Sequence, residues 1–150
     1  MKKLTFLILL LLSGYNTFSQ HLFTKKYDGC DTKTFSLESD SVTAKVSDRV
    51  IMDIVASAID PKAITKISGD LLLQILVNED GSSCLLSLEN RTNVRTKKLN
   101  LKEAIDQQLT WSPIDEKVSA IVSLKFVDQN IGMKRLGVNG HTGIHELKQD

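Results

Sequence analysis

The chain has 150 residues, with 19 basic and 18 acidic side chains for a net charge of +1. That length suits one domain with a real core, and the near-neutral balance leaves no electrostatic footprint for nucleic acid. Only two prolines occur, Pro61 and Pro113, which excludes a rigid proline-rich spacer.

The N-terminus reads as an export signal over residues 1–19. Lys2 and Lys3 form a basic start, 4–12 is an apolar run, and Thr17 and Ser19 are the small residues before a cut at Gln20. A spanning helix needs roughly 20 apolar residues, so the short run reads as a cleaved signal, with a retained anchor as the alternative. Cleavage removes two lysines and no acids, leaving 17 basic against 18 acidic residues, a net of −1. The expected location is the periplasm or the exterior. In that oxidising setting Cys30 and Cys84 can form a disulfide. The other reading is that Cys84, which shares strand parity with Leu86 and Leu88, is a small core hydrophobe.

Residues 20–46 are an irregular N-terminal extension, with Phe23 and Phe35 as anchors and a short alternating stretch at Val42, Ala44 and Val46. Ser47 is placed to cap a helix, with Asp48 in its first turn. Val50, Ile51, Ile54, Val55 and Ala58 recur at helical spacing, so one face is buried. Pro61 ends this helix, because the residue before a proline avoids helical geometry.

Gly69 opens the strongest strand. Leu71, Leu73, Ile75 and Val77 share one face, while Leu72, Gln74 and Leu76 share the other; apolar residues on both faces predict a central strand. Asn78, Glu79, Asp80 and Gly81 form a turn, and residues 82–89 return as the second arm of a hairpin. Asn100 and Glu103 have the spacing of a capping box, and Leu101, Ala104, Ile105 and Leu109 make the buried stripe of a short helix. Trp111, Ser112 and Pro113 break it. Residues 118–127 alternate as a last strand. The tail, 129–150, has four glycines and no sustained period, so a flexible segment is expected.

The order helix, strand, strand, helix, strand predicts an α+β fold: a three-stranded antiparallel sheet with two main helices packed on one face. The last strand would lie beside the first, leaving the second and last strands at the edges.

This central stretch resembles the C-terminal domain of the TonB energy-transducer family. The likeness rests on Pro61 and Ala63 before the sheet, Gly69 at the first strand, Asp80 and Gly81 at the hairpin tip, Leu101 and Ala104 at the helix start, Trp111 and Pro113 after it, and Leu124 and Phe126 in the last strand. It covers about half the chain, a domain at 47–128. The family's membrane anchor and long proline-rich spacer have no counterpart in the sequence. The resemblance implies a periplasmic module that binds a protein or peptide of the bacterial cell envelope, with an outer-membrane receptor among the candidates. In that family the last strand receives a receptor peptide by strand addition.

Two surfaces are therefore candidates for a partner. The first is the outer face of the last strand, Ser119, Ile121, Ser123 and Lys125, if that strand is an open edge. The second is the basic stretch Arg91, Arg95, Lys97 and Lys98, which has no acid until Glu103 and suits an acidic partner. A stand-alone adaptor or inhibitor with another partner is the alternative. His141 and His145 have i, i+4 spacing, but Gly140 and Gly143 oppose a helix there, so no metal site is expected. No nucleophile elbow, phosphate-cradling loop or paired-cysteine motif occurs. Neither catalysis nor a cofactor is expected.

Overall fold

The computed structural model describes residues 21–148. The export signal expected at 1–19 lies outside them. The architecture is a seven-stranded sheet, antiparallel apart from one short pairing, with three helices.

Two strands lie in the N-terminal extension, β1 (Lys25–Lys26) and β2 (Ser36–Leu37). Helix α1 (Asp48–Ala58) follows and buries Ile51 and Val55. Ser47 occupies its N-cap but makes no side-chain cap hydrogen bond. Pro61 does more than end α1: it starts a one-turn helix, α2 (Pro61–Ile64). Proline is pre-organised for a first helical position, and the Asp60 carboxylate accepts from the amides of Lys62 at 3.0 Å and Ala63 at 3.2 Å.

β3 (Gly69–Val77) is central, as its two apolar faces predict, and pairs along its whole length with β4 (Ser83–Thr92) and with β5 (Val118–Val127). Gly69 has φ of +108°, and a Cβ there would lie 2.4 Å from the Arg91 carbonyl oxygen. Only glycine lets the two chains approach so closely. A short 3-10 turn (Thr96–Lys98) leads into α3 (Leu101–Gln108). The capping box does not form: Asn100 is left-handed, with φ of 51°, and its amide donates to Ala58 O at 3.2 Å instead.

The three-stranded sheet expected from sequence is overturned. The tail forms two more strands, β6 (Asn130–Asn139) and β7 (Gly143–Glu146), giving the order β1-β4-β3-β5-β6-β7, with β2 paired parallel to β5. Asp128 and Gln129 both have positive φ, 48° and 64°. That is the type I′ geometry whose twist suits a two-residue hairpin, but Asp-Gln lacks the Asn-Gly signature that advertises it. Tail residues 129–148 are therefore part of the sheet.

The core lies between the helices and one face of the sheet. It joins Ile51, Val55 and Ile59 to Leu71, Leu73, Ile75 and Val77 of β3, Leu85 and Leu88 of β4, and Val122, Leu124 and Phe126 of β5, with Trp111 at one side. β4 carries a bulge: Gln74 opposes Ser87 while Ile75 opposes Leu85, so Leu86 is the extra residue. The bulge resets parity. Leu85 and Leu88 join this core, whereas Leu86 does not.

The other face of the sheet is covered in part by the N-terminal extension. Phe23 is buried, its amide donating to Ser87 Oγ at 3.2 Å, and the Leu22 amide donates to Gln74 Oε1 at 2.8 Å. Gln74 also takes the Ser87 hydroxyl and donates to Ser119 Oγ at 3.2 Å. A buried polar row thus crosses three strands with its groups satisfied by one another.

Two devices fix the extension. Cys30 and Cys84 are bridged, with Cα atoms 5.7 Å apart. Glu38 and Arg135 form a buried ion pair, at 2.5 Å between Oε2 and a guanidinium nitrogen. The other Glu38 oxygen accepts from the amides of Thr43 at 2.7 Å and Ala44 at 2.8 Å. Arg135 also donates to Ala44 O at 2.9 Å and lies 5.0 Å above the Trp111 ring. The Trp111 indole N–H donates to Ser83 Oγ at 2.7 Å.

Candidate partner-docking edge

The strand expected to receive a partner is not an edge. β5 is paired with β3 on one side; on the other, β2 takes Val118 and Ser119 and β6 takes Ile121 to Val127. Its backbone groups are thus engaged on both sides. Ser119 and Ile121 are buried, Ser123 is half-buried, and only Lys125 is exposed. The four residues share a face, but they do not line an open edge.

An open edge lies one strand further out. In an antiparallel strand each residue turns its N–H and C=O to one side, and neighbours alternate. Arg135 O accepts from Leu147 N at 2.9 Å on the β7 side, while Val138 N donates to Glu38 O at 2.8 Å on the opposite side. Odd-numbered residues of β6 therefore face away from β5. β7 pairs only with residues 136–139. The outward groups of Ile131 and Met133 consequently have no strand beside them among the described residues.

These residues have the side chains a docking edge needs. Ile131 and Met133 are half-buried against the core on the helix side. Gly132 and Lys134 are exposed on the other. Beside Met133, Lys134 and Arg135 runs a groove of about 720 Å³, bounded by Asp48 at the start of α1 and by Glu146, Leu147 and Lys148. Lys134 is paired with Glu146 across the β7 end, at 2.6 Å. Sequence reasoning missed this edge because the glycines at 132 and 137 interrupt the apolar alternation, and the charged Arg135 occupies a core position.

The basic stretch is ordered rather than loose. Asn90 donates to Val94 O at 2.7 Å and accepts from Thr92, while Asn93 ties the loop to Lys66 and Ser68. Arg91, at the end of β4, sits 3.8 Å from Glu89; Arg95, Lys97 and Lys98 are exposed around the 3-10 turn. The fold brings Lys97 to a second groove, of about 520 Å³, with Lys25, Tyr27, Lys102 and Glu103. Lys25 lies 5.2 Å over the Tyr27 ring, and burial pushes the Tyr27 phenol up. Lys102 is engaged with Asp106 at 2.5 Å and lies 3.2 Å from the Cys84 sulfur. Lys25 was not part of the sequence-derived basic surface; sixty and more residues separate it from the others, and only the β1–β4 pairing brings them together.

His141 lies in the turn before β7, and His145 lies within β7, opposite Gly137. His145 Nδ1 lies 3.2 Å from Thr142 Oγ1 and 3.1 Å from Gly143 O. Among the described residues no three potential metal ligands converge, and no helix is long and apolar enough to cross a membrane.

No protein family, curated protein or solved structure matches the chain.

Proposed function

We propose that this chain is an exported protein-binding module that takes an extended segment of an envelope partner against the open edge of β6. The observation that carries this reading is the outward backbone of Ile131 and Met133 beside the groove at Asp48 and Glu146. Strand addition draws its affinity from main-chain hydrogen bonds and its specificity from alternate side chains. A segment docked here would set apolar residues beside Ile131 and Met133 and polar or acidic residues beside Gly132 and Lys134. The Cys30–Cys84 bridge supports export, since disulfides persist in oxidising compartments.

The resemblance of residues 47–128 to TonB C-terminal domains supports a binding role. It would place the docking strand at β5, which is internal here, so the proposal moves docking to β6. The exported chain should be used to capture partners from detergent-solubilised envelope, beside a Met133→Pro variant. Proline removes an outward N–H without taking a donor from the β5 ladder. The expected result is a partner identified by mass spectrometry, lost in the variant, whose addition slows amide exchange at Ile131 and Met133. A partner held equally by a folded Met133→Pro protein would overturn the reading.

A further inference from the structure

We propose that Cys30 and Cys84 form a thiol–disulfide exchange site of fixed polarity. An external dithiol attacks the sulfur of Cys30, and Cys84 leaves as a thiolate held by the ammonium of Lys102. This goes beyond partner binding and does not depend on it.

The surroundings distinguish the two sulfurs. Lys102 Nζ, in the first turn of α3, lies 3.2 Å from the Cys84 sulfur and 3.8 Å from that of Cys30. An ammonium beside a sulfur favours the thiolate over the thiol. Asp106, one turn along α3, holds Lys102 at 2.5 Å, and its other oxygen accepts from the Leu85 amide at 2.7 Å. Its carboxylate stands 3.9 Å from the Cys84 sulfur, farther than the ammonium, so the cation prevails there. Cys30 has a different setting. Its sulfur lies 3.6 Å from the Leu85 carbonyl oxygen, which accepts from a thiol but repels a thiolate. Asp28 and Asp31 flank it in the chain, and Lys117 is engaged with Asp31 at 2.9 Å.

Access points the same way. Asp28, Gly29 and Asp31 around Cys30 are exposed, and a Cβ at Gly29 would meet nothing within 4 Å. Cys84 instead sits in β4 between two buried residues, Ser83 and Leu85.

The step balances with a dithiol as reductant. Its thiolate bonds to Cys30 Sγ as the Cys30–Cys84 bond breaks, and that electron pair leaves on Cys84 Sγ, where Lys102 donates to it. The second thiol of the reductant loses its proton to solvent and attacks the reductant sulfur bonded to Cys30. Cys30 leaves and takes a proton from water. The dithiol becomes a disulfide, and the protein bridge gains two electrons. In reverse, the Cys84 thiolate attacks a mixed disulfide on Cys30 and closes the bridge. A better-stabilised leaving thiolate departs faster, so Lys102 sets the rate of opening.

The oxidised, exported chain should be treated with 2-mercaptoethanol, quenched by rapid alkylation with N-ethylmaleimide and mapped by mass spectrometry. The mixed disulfide is expected on Cys30 and the maleimide on Cys84. This mapping uses the unaltered chain, so it holds whatever a variant does to folding. Reduction by dithiothreitol at one fixed pH should be about tenfold slower in Lys102→Met, the scale of a lost charge-assisted hydrogen bond. Lys102→Arg should recover most of the parent rate. Were Lys102 only packing, its loss would loosen the bridge and speed reduction. A mixed disulfide on Cys84 would overturn the proposal. So would a rate unchanged or raised in folded Lys102→Met, or a Lys102→Arg rate no better than that of Lys102→Met.

Discussion

The Glu38–Arg135 pair offers the sharpest test of how the N-terminal extension is held. Both side chains are nearly inaccessible, at 0% and 2%. The carboxylate takes two backbone amides besides the guanidinium, and the guanidinium reaches Ala44 O and the Trp111 face. Removing one member of such a pair leaves the other charge buried and uncompensated, which costs about 3–5 kcal/mol. Glu38→Gln keeps the shape and the acceptor for Thr43 and Ala44 but turns an amide donor toward a cation. We expect it to lose an amount in that range, and Arg135→Met a comparable one. The double variant Glu38→Gln/Arg135→Met leaves no buried charge, and it should be more stable than the sum of the single losses by about 1–3 kcal/mol. Urea unfolding followed by far-UV circular dichroism measures all three. The fluorescence of Trp111, the chain's one tryptophan, reports the same site directly. Single losses below about 1 kcal/mol, or strict additivity in the double variant, would refute the argument that desolvated charge holds the strap.

Replacing both cysteines by alanine opens a link between positions 54 residues apart; the chain-entropy relation then gives a loss of about 4 kcal/mol, read from the same urea curves. Ile121→Pro should prevent stable folding, because it sits in an internal strand paired on both sides; a native melting curve would show that β5 is an edge after all. Gly69→Ala should cost about 1–3 kcal/mol from the positive φ and the contact with the Arg91 carbonyl, whereas a neutral result would mean that β3 and β4 separate there freely. The Thr24 hydroxyl, 2.8 Å away, holds the Glu89 carboxyl below its ordinary value of 4.5, with Arg91 assisting. That contribution is complete above the ordinary value and is lost as pH falls through the lowered one. Thr24→Val should therefore raise the Glu89 titration midpoint toward 4.5, as followed by NMR, and an unmoved midpoint would exclude the contact.

What the sequence determined is the middle of the molecule. Strict alternation at Leu71, Leu73, Ile75 and Val77, with apolar residues also at 72 and 76, can only be satisfied by a strand covered on both faces. Helical spacing at Ile51, Val55, Leu101 and Ile105 assigns the layer above it. Local chemistry sufficed there because each residue's partner is of its own kind, apolar against apolar. The edges were decided otherwise. Asp128 and Gln129 carry no turn signature, yet they close a hairpin because β5 offers an unpaired side that β6 can fill. Arg135 reads as solvent-facing until Glu38, nearly a hundred residues earlier, arrives to neutralise it. The bulge at Leu86 inverts the parity that pointed Cys84 into the core, and the bridge to Cys30 closes over that strand. Each of these depends on a group far away in the chain, and so the identity of the open edge, and with it the candidate docking surface, belonged to the tertiary structure alone.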